Sequence, residues 1–206
     1  MTTVSPEKLL QDSRQDARGR LIDAALEAFV EEGYRASIDR IAARAQVARQ
    51  TIYNHFGSKD GLFAEVIHQA SQQILVTLDT EAELRSALIA FGQAYREKVL
   101  SPDGIAVFRT IAAEAPNFPE LSKQFFQIGP QSTRKRLSDY LARAIQKDLL
   151  RPEDPDFMAE TLVAMLVEHE RIQALFTLKQ ATLSHPKTTQ IVDQFLRLFS
   201  PTKETP

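Results

Sequence analysis

The chain has 206 residues, 43% of them apolar and 25% charged, with seven glycines and no cysteine. This is the composition of an ordinary folded protein, and it excludes disulfide scaffolds, thiol nucleophiles and cysteine metal sites. The formal charge of −2 argues against a surface coated in positive charge for nucleic acid. No apolar run approaches the roughly 20 residues of a membrane span, so no membrane partner is expected. The polar start, MTTVSPEKLLQDSRQD, lacks the apolar core of a signal peptide, which makes the cytoplasm the expected location.

Residues 1–15 are expected to form a flexible N-terminal segment. From about Asp16 an amphipathic helix is predicted, because Leu21, Ala24, Ala25, Ala28 and Phe29 recur at steps of three and four. Gly33 is its stop. Ser37 stands where an N-cap belongs, before the apolar face of Ile38, Ile41, Ala42 and Ala45. Gln46-Val47 breaks that pattern, and a third helix is predicted over about Arg49 to Phe56. Gly57-Ser58 punctuates again, and a long helix follows from Lys59.

Further helices are predicted near 81–100, 103–114, 119–149, 154–181 and 187–199. Breaks fall at Ser101-Pro102, Ala115-Pro116, Arg151-Pro152 and His185-Pro186, because the residue before a proline disfavours helix. Gly129-Pro130 is expected to kink or split the 119–149 segment. No stretch alternates with period two, so no strand is placed. The expected fold is all-α, with about nine helices.

The short helices over residues 37–56 carry the chemistry. Their spacing suggests a helix-turn-helix. On the second of them, Ile52 and Phe56 lie four apart and can bury together. Arg49, Gln50, Tyr53, Asn54 and His55 are left looking outward. Such a face suits base edges and phosphates: Arg pairs with guanine, Gln or Asn with adenine, and Tyr, His and Lys donate to phosphate oxygens. Residues 40–59 hold Arg40, Arg44, Arg49 and Lys59 and no Asp or Glu, in a chain that is net acidic. Arg40 and Arg44 read equally well as a solvated face, and a solvated face is the first reading of Arg14, Arg18 and Arg20.

The stretch RGRLIDAALEAFVEEGYRASIDRIAARAQVARQTIYNHFGSKDGLFAEV resembles the DNA-binding domain of the TetR/AcrR family of transcriptional regulators. The resemblance implies a helix-turn-helix domain over residues 16–62, a helical regulatory and dimerisation domain over 63–200, and a tail over 201–206. It implies that Ser37 caps the second helix and touches a phosphate. Arg49, Gln50 and Thr51 match the base-reading start of the recognition helix. Tyr53 and His55 match a Tyr-x-His pair on the DNA backbone, with Asn54 variable between them, and Lys59 matches a phosphate-contacting lysine. One departure is Gln46, where the family usually has glycine. A left-handed backbone there would carry about 1 kcal/mol of strain.

Residues 108–130 are similar to the C-terminal domains of the AefR-like branch. The resemblance implies an apolar effector pocket and a dimer interface in the C-terminal helices. Candidate effector contacts are Phe91, Tyr95, Phe108, Phe126, Met165 and His169. His169 reads first as a core or interface histidine and second as an effector contact or pH sensor. The apolar stripe of the 154–181 helix and the apolar helix after it suit a four-helix bundle across a two-fold axis. The candidate interface is Met158, Leu162, Met165, Ile172, Phe176, Ile191, Phe195 and Phe199. Residues 121–151 hold seven Lys or Arg against two Asp, read as a solvated helical face.

The function expected is a homodimeric, sequence-specific regulator of double-stranded operator DNA. It is read as a repressor released by an unidentified small, largely apolar effector. The alternatives are a helical protein-interaction module and a constitutive DNA-binding regulator without an effector. No nucleophile elbow, phosphate-binding Gly loop or zinc motif points to an enzyme, a cofactor or a metal.

Overall fold

The computed structural model describes the backbone of residues 6–79, 82–178 and 183–201, and side chains from Ala17 onward. Among the described residues there are ten α-helices and no strand. In chain order they are α1 (Pro6–Glu32), α2 (Ile38–Arg44), α3 (Arg49–Phe56), α4 (Lys59–Leu75), α5 (Leu84–Val99), α6 (Pro102–Glu114), α7 (Pro119–Phe126), α8 (Ser132–Gln146), α9 (Pro155–Leu175) and α10 (His185–Leu198). Residues 1–5 and 202–206, the ends of the 81–100 and 154–181 segments, and the side chain of Arg14 lie outside the described residues.

α9 ends at Leu175, short of the expected 181, and α8 at Gln146, short of 149, each just before a left-handed residue, Thr177 and Asp148, and α5 begins at Leu84 rather than 81. Two N-terminal boundaries differ as well, and proline accompanies both. α1 begins at Pro6, ten residues before Asp16, and α10 begins at His185, with Pro186 inside its first turn. Proline at the first positions lacks only an N–H that has no intrahelical partner there. At Pro130 the missing donor lies mid-segment. The chain passes from α7 to α8 through a π-helical turn, Gln127–Gln131, that contains it. Counting α7 and α8 as one bent helix reconciles ten helices with nine.

Serine side chains cap four N-termini among the described residues, those of α2, α4, α6 and α10. Ser37 accepts from the Arg40 amide at 3.3 Å, Ser58 from Gly61 at 3.0 Å and Ser101 from Gly104 at 3.0 Å. Gly33 ends α1 at φ +69°, and a Cβ there would meet Thr110 Cγ2 of α6 at 3.0 Å. That glycine therefore serves both a left-handed turn and a close approach between α1 and α6.

The apolar residues form two cores that share α4. The first joins α1, α2 and α3 to Leu62, Phe63, Val66 and Ile67 of α4, and is completed by Val107 and Ile111 of α6 and Leu121 of α7. The second joins Ile74 and Leu75 of α4 to α5, α8, α9 and α10. The 16–62 division therefore falls inside α4, and the first core borrows its outer wall from the C-terminal part. At Gly92 of α5 a Cβ would stand 2.8 Å from Thr188 Cγ2 and 3.1 Å from Leu166 Cδ2, so glycine lets α9 and α10 close on α5.

The expected interface splits. Met158 and Leu162 of α9, with Phe195 and Phe199, are fully buried in their own chain's second core. They face inward and are not free for a partner. Ile191 is half-buried, whereas Met165, Ile172 and Phe176 are exposed. The stripe divides because the inward side of α9 moves from Met158 and Leu162 to Val167 and Glu170 along the helix. The periodicity of one helix does not report that rotation.

Candidate nucleic-acid interface and internal cavity

α2 and α3 are joined by Ala45 to Ala48, and the turn has the geometry of a left-handed helix stop. Gln46 N donates to Ala43 O at 3.1 Å and Val47 N to Ala42 O at 3.0 Å, with Gln46 at φ +56°. This is the paired bonding of a Schellman motif, which satisfies two carbonyls at the end of α2. The residue at its left-handed position is glutamine, so the turn stores about 1 kcal/mol that glycine would not.

α3 hangs from this turn by Ile52, fully buried, and Phe56, packed against the first core. Arg49, Gln50 and Asn54 are exposed, and Thr51, Tyr53 and His55 are half-buried. Arg49 Nη2 donates to the Tyr53 hydroxyl at 3.1 Å and Nη1 to both Asp39 oxygens at 3.2 and 3.3 Å. These contacts, the Tyr53 bond foremost, raise the guanidinium's affinity for its proton. Gln50 Nε2 donates to Asn54 Oδ1 at 3.1 Å. The outward face of α3 is therefore a set of linked hydrogen-bonding groups rather than loose side chains. Ser37 stands exposed at the start of α2. Its cap uses the hydroxyl as an acceptor, which leaves the O–H available to donate. The N-cap of α3 is Ala48, with no side-chain bond, so the first amides of α3 are not closed by a cap.

Lys59 opens α4 differently. Its amine donates to the Tyr34 carbonyl and lies 4.5 Å from the centre of the Tyr34 ring. Burial pushes its affinity for a proton down. The Tyr34 ring packs edge-on against Phe63 at 5.6 Å and Phe118 at 5.9 Å, and its hydroxyl donates to Asp60. Through Tyr34, the start of α4 is tied to the loop between α6 and α7.

The four cations of residues 40–59 are not four free charges. Arg40 pairs with Glu32 at 2.5 Å, Arg44 with Glu31 at 2.7 Å and Arg49 with Asp39 at 3.2 Å. α1 lies against α2 and supplies the carboxylates for Arg40 and Arg44. These pairs are largely solvated, and solvent screening makes them exchangeable. In the 121–151 stretch most cations are paired likewise: Lys123 with Glu120, Arg134 with Glu160, Lys135 with Asp139, Arg136 with Asp79 and Arg151 with Glu153.

A cavity of about 300 Å³, open to solvent on one side, lies at the border of the two cores. α1 contributes Ile22, Asp23 and Leu26, and α4 contributes Val66, Ile67, Ala70 and Ile74. Tyr95, Lys98, Asp103, Phe108, Phe125, Thr133, Arg171 and the Gly129-Pro130 turn complete it. Tyr95 and Phe108 are thus in its wall, and four other expected effector contacts are not. Phe91 lies wholly in the second core, stacked on Tyr95 at 5.7 Å. Phe126 is exposed on the outer side of α7, and Met165 and His169 are exposed on α9. Spacing cannot distinguish an aromatic that walls a cavity from its neighbour one turn away.

Sequence reasoning missed Lys98, Asp103, Thr133 and Arg171. Arg171 carried one signal, a cation within a mostly apolar helix. Its guanidinium sits 4.9 Å from the Phe108 ring centre and donates to Glu168. Behind the cavity, Arg96 of α5, 1% exposed, donates to Glu170 Oε2 at 2.6 Å and to the Leu166 carbonyl. Lys187 of α10 meets Glu170 Oε1 at 3.1 Å. Burial pushes the Glu170 carboxyl up, but hydrogen bonds from Arg96 and Lys187 outweigh it and hold the group below its ordinary range.

Known proteins share this plan. The family profile described as "Bacterial regulatory proteins, tetR family" matches residues 21–66, and "AefR-like transcriptional repressor, C-terminal domain" matches residues 86–201, more than half of the chain. The transcriptional activator FasR of Mycolicibacterium smegmatis is 38% identical over 87 residues, which are 38% of this chain and 40% of FasR. The chain thus spans well under two thirds of that relative's length. The solved structure of the Flavonoid-responsive Regulator FrrA is 28% identical, with a TM-score of 0.67 over 90% of this chain and 98% of FrrA. A TetR-family regulator from Mesorhizobium loti has the same fold, with a TM-score of 0.75 at 23% identity over 91% of this chain and 98% of that one. No helix among the described residues is long and apolar enough to cross a membrane. The chain belongs to the TetR family of bacterial transcriptional regulators, with an AefR-like C-terminal domain.

Proposed function

We propose that this regulator is a repressor that binds a near-palindromic operator as a homodimer and is released by a small molecule held in the 300 Å³ cavity. The observation that carries the reading is the cavity's position. One side is α1 and α4 of the DNA-reading part, and the other is α5, α6, α8 and α9. An occupant would touch both cores at once and so favour one arrangement of them over another, within the limit of its differential affinity. The Tyr34–Phe118 contact and the Arg35–Glu114 pair at 3.3 Å are further points where α6 and α7 meet the head. Repression rather than activation is favoured by the AefR-like repressor match, although FasR is named an activator.

In this reading Arg49, Gln50, Thr51 and Asn54 address base edges in the major groove. Ser37, Tyr53, His55 and Lys59 address phosphates. Arg49 exchanges Asp39 for DNA, an exchange that costs little because the pair is solvated. The partner subunit packs on the exposed side of α9 (Met165, Ile172 and Phe176) and on Leu198 of α10. The functional division between head and body runs through α4 rather than after residue 62. The reading stays within the cytoplasm, with no cofactor and no catalysis.

An anisotropy titration against operator DNA across a salt series tests the head. Lys59→Ala should weaken binding on every sequence and flatten the salt slope by about 0.9 per lost phosphate contact. Arg49→Ala should instead relax discrimination among operator variants. Equal losses on all DNAs would remove its base-reading role. Sedimentation of Ile172→Glu, an exposed position that leaves the fold intact, should show a monomer where the parent is a dimer.

A further inference from the structure

α3 has eight residues, and the core beneath it grips one fully buried side chain, Ile52 near its middle. What sets the tilt of so short a helix is the hold on its ends, and α1 reaches both. The inward residues Leu21, Ala24 and Ala25 are buried in the first core, which makes α1 a fixed base. From that base Arg20 Nε donates to the Ala45 carbonyl, in the turn before α3, at 3.3 Å. Arg18 lies 5.6 Å from the ring centre of Phe56, the last residue of α3, and its Nη2 meets Glu65 Oε1 of α4 at 2.6 Å. The solvated face expected of these two arginines is therefore engaged at both ends of α3. The Ala45 carbonyl needs its partner. Ala45 is 2% exposed, the bonds of the turn use the carbonyls of Ile41, Ala42 and Ala43, and no main-chain N–H among the described residues reaches that of Ala45. A buried carbonyl without a donor is unfavourable, and this turn already carries the left-handed Gln46.

We propose that Arg18 and Arg20 are positioning residues for the recognition helix: they fix both ends of α3 against α1, and operator affinity depends on them without either touching DNA. This rests on the reading of α3 as the base-reading element. Hydrogen bonds to base edges are directional, and a helix end displaced by about 1 Å misplaces Arg49 or Asn54 against them. Attraction to phosphate depends on charge and tolerates such a shift. Loss of the hold on α3 therefore falls on the operator and spares non-specific DNA.

The full chain is titrated by anisotropy against two duplexes of one length, one selected from a random-sequence pool by the parent protein and one scrambled. Glutamine carries an N–H donor at the place of the arginine Nε without the charge. Arg20→Met should weaken the selected duplex about tenfold, leave the scrambled one within about twofold and keep the salt slope, and Arg20→Gln should recover most of the loss. Arg20 is exposed, so both variants keep the fold. Glu65→Gln, which frees Arg18 from α4 without removing it, should weaken the selected duplex about threefold. Phosphate contacts would give the opposite pattern: Arg20→Gln as poor as Arg20→Met, both with a flatter salt slope, and Glu65→Gln stronger on both duplexes. That pattern overturns the proposal. So does an unchanged ratio of the two affinities in Arg20→Met with a lower unfolding midpoint, the mark of a residue that only stabilises the fold. Failure of the parent to select any duplex would remove the reading of α3, and this proposal with it.

Discussion

The two cores of the protein bury apolar surface in different ways. The first is rich in alanine: Ala24, Ala25, Ala28, Ala36, Ala42 and Ala45 are all 5% exposed or less and are set among larger residues such as Leu21, Phe29, Ile41, Leu62 and Phe63. Small side chains let α1, α2 and α4 lie close together, and a close-packed platform holds the short α3 in one orientation. The second core uses Leu, Met and Phe, among them Leu88, Phe91, Leu137, Met158 and Phe195. It also buries a charge, Arg96, with Glu170. The cavity lies along the seam between the two, where α4 passes from one to the other. It is open to solvent on one side, where the exposed Asp23, Gln69 and Asp103 form part of its lining. The difference teaches that the first core sets part of its helix spacing through small residues, whereas the second fills space with large ones, and the pocket lies where the two meet.

That comparison can be broken by substitution. The largest effect is expected in the body: Phe91→Ala should cost about 3–5 kcal/mol in denaturant unfolding, because a fully buried ring leaves a cavity in a packed core. Next is Ala28→Leu in the head, which should cost about 1–3 kcal/mol by overpacking and abolish operator binding. Retained stability there would mean that the head is looser than its alanines imply. A matching enlargement at the cavity wall, Ala70→Leu, should leave stability unchanged or raised while blocking the occupant.

A smaller effect separates the buried pair from its apolar surroundings by pH. The Glu170 carboxyl is held below its unfolded value, so its contribution to stability is complete above the ordinary carboxylate range. It is lost as pH falls through the lower folded value. Glu170→Gln should therefore flatten the acid limb of a stability–pH curve, and an unchanged limb would show that the pair contributes nothing. The smallest effect is at the turn. Gln46→Gly should raise stability by about 0.5–1 kcal/mol by removing left-handed strain, offset in part by unfolded-state entropy. A loss would show that the Gln46 side chain does something the backbone geometry does not reveal.

The helices were legible because their determinants are local. Apolar periodicity placed α1 to α4, serines placed the caps at Ser37 and Ser58, and Gly129-Pro130 marked the π turn. The outward set on α3 was legible for the same reason: Ile52 and Phe56 define which side of one short helix is buried, and the rest follows. Even the strain at Gln46 was foreseeable, since a resemblance that expects glycine specifies a backbone rather than a side chain. The cavity wall was less legible. Tyr95 and Phe91 are one turn apart with similar chemistry, yet only Tyr95 reaches the void.

What the sequence alone determined is therefore a set of helices, their punctuation, and a short helix with a polar outer face in a family that reads DNA. Tertiary structure decided everything that depends on which helix lies against which. It turned three of the four cations of residues 40–59 from a free basic patch into pairs with α1 and α2 carboxylates. It put Met158 and Phe195 inside and left Ile172 and Phe176 outside. It also gathered Tyr95, Thr133 and Arg171 from three helices around one void. The physical reason is range: backbone propensity and capping act over a few residues, whereas charge pairing, burial and enclosure are set by neighbours tens of residues away along the chain.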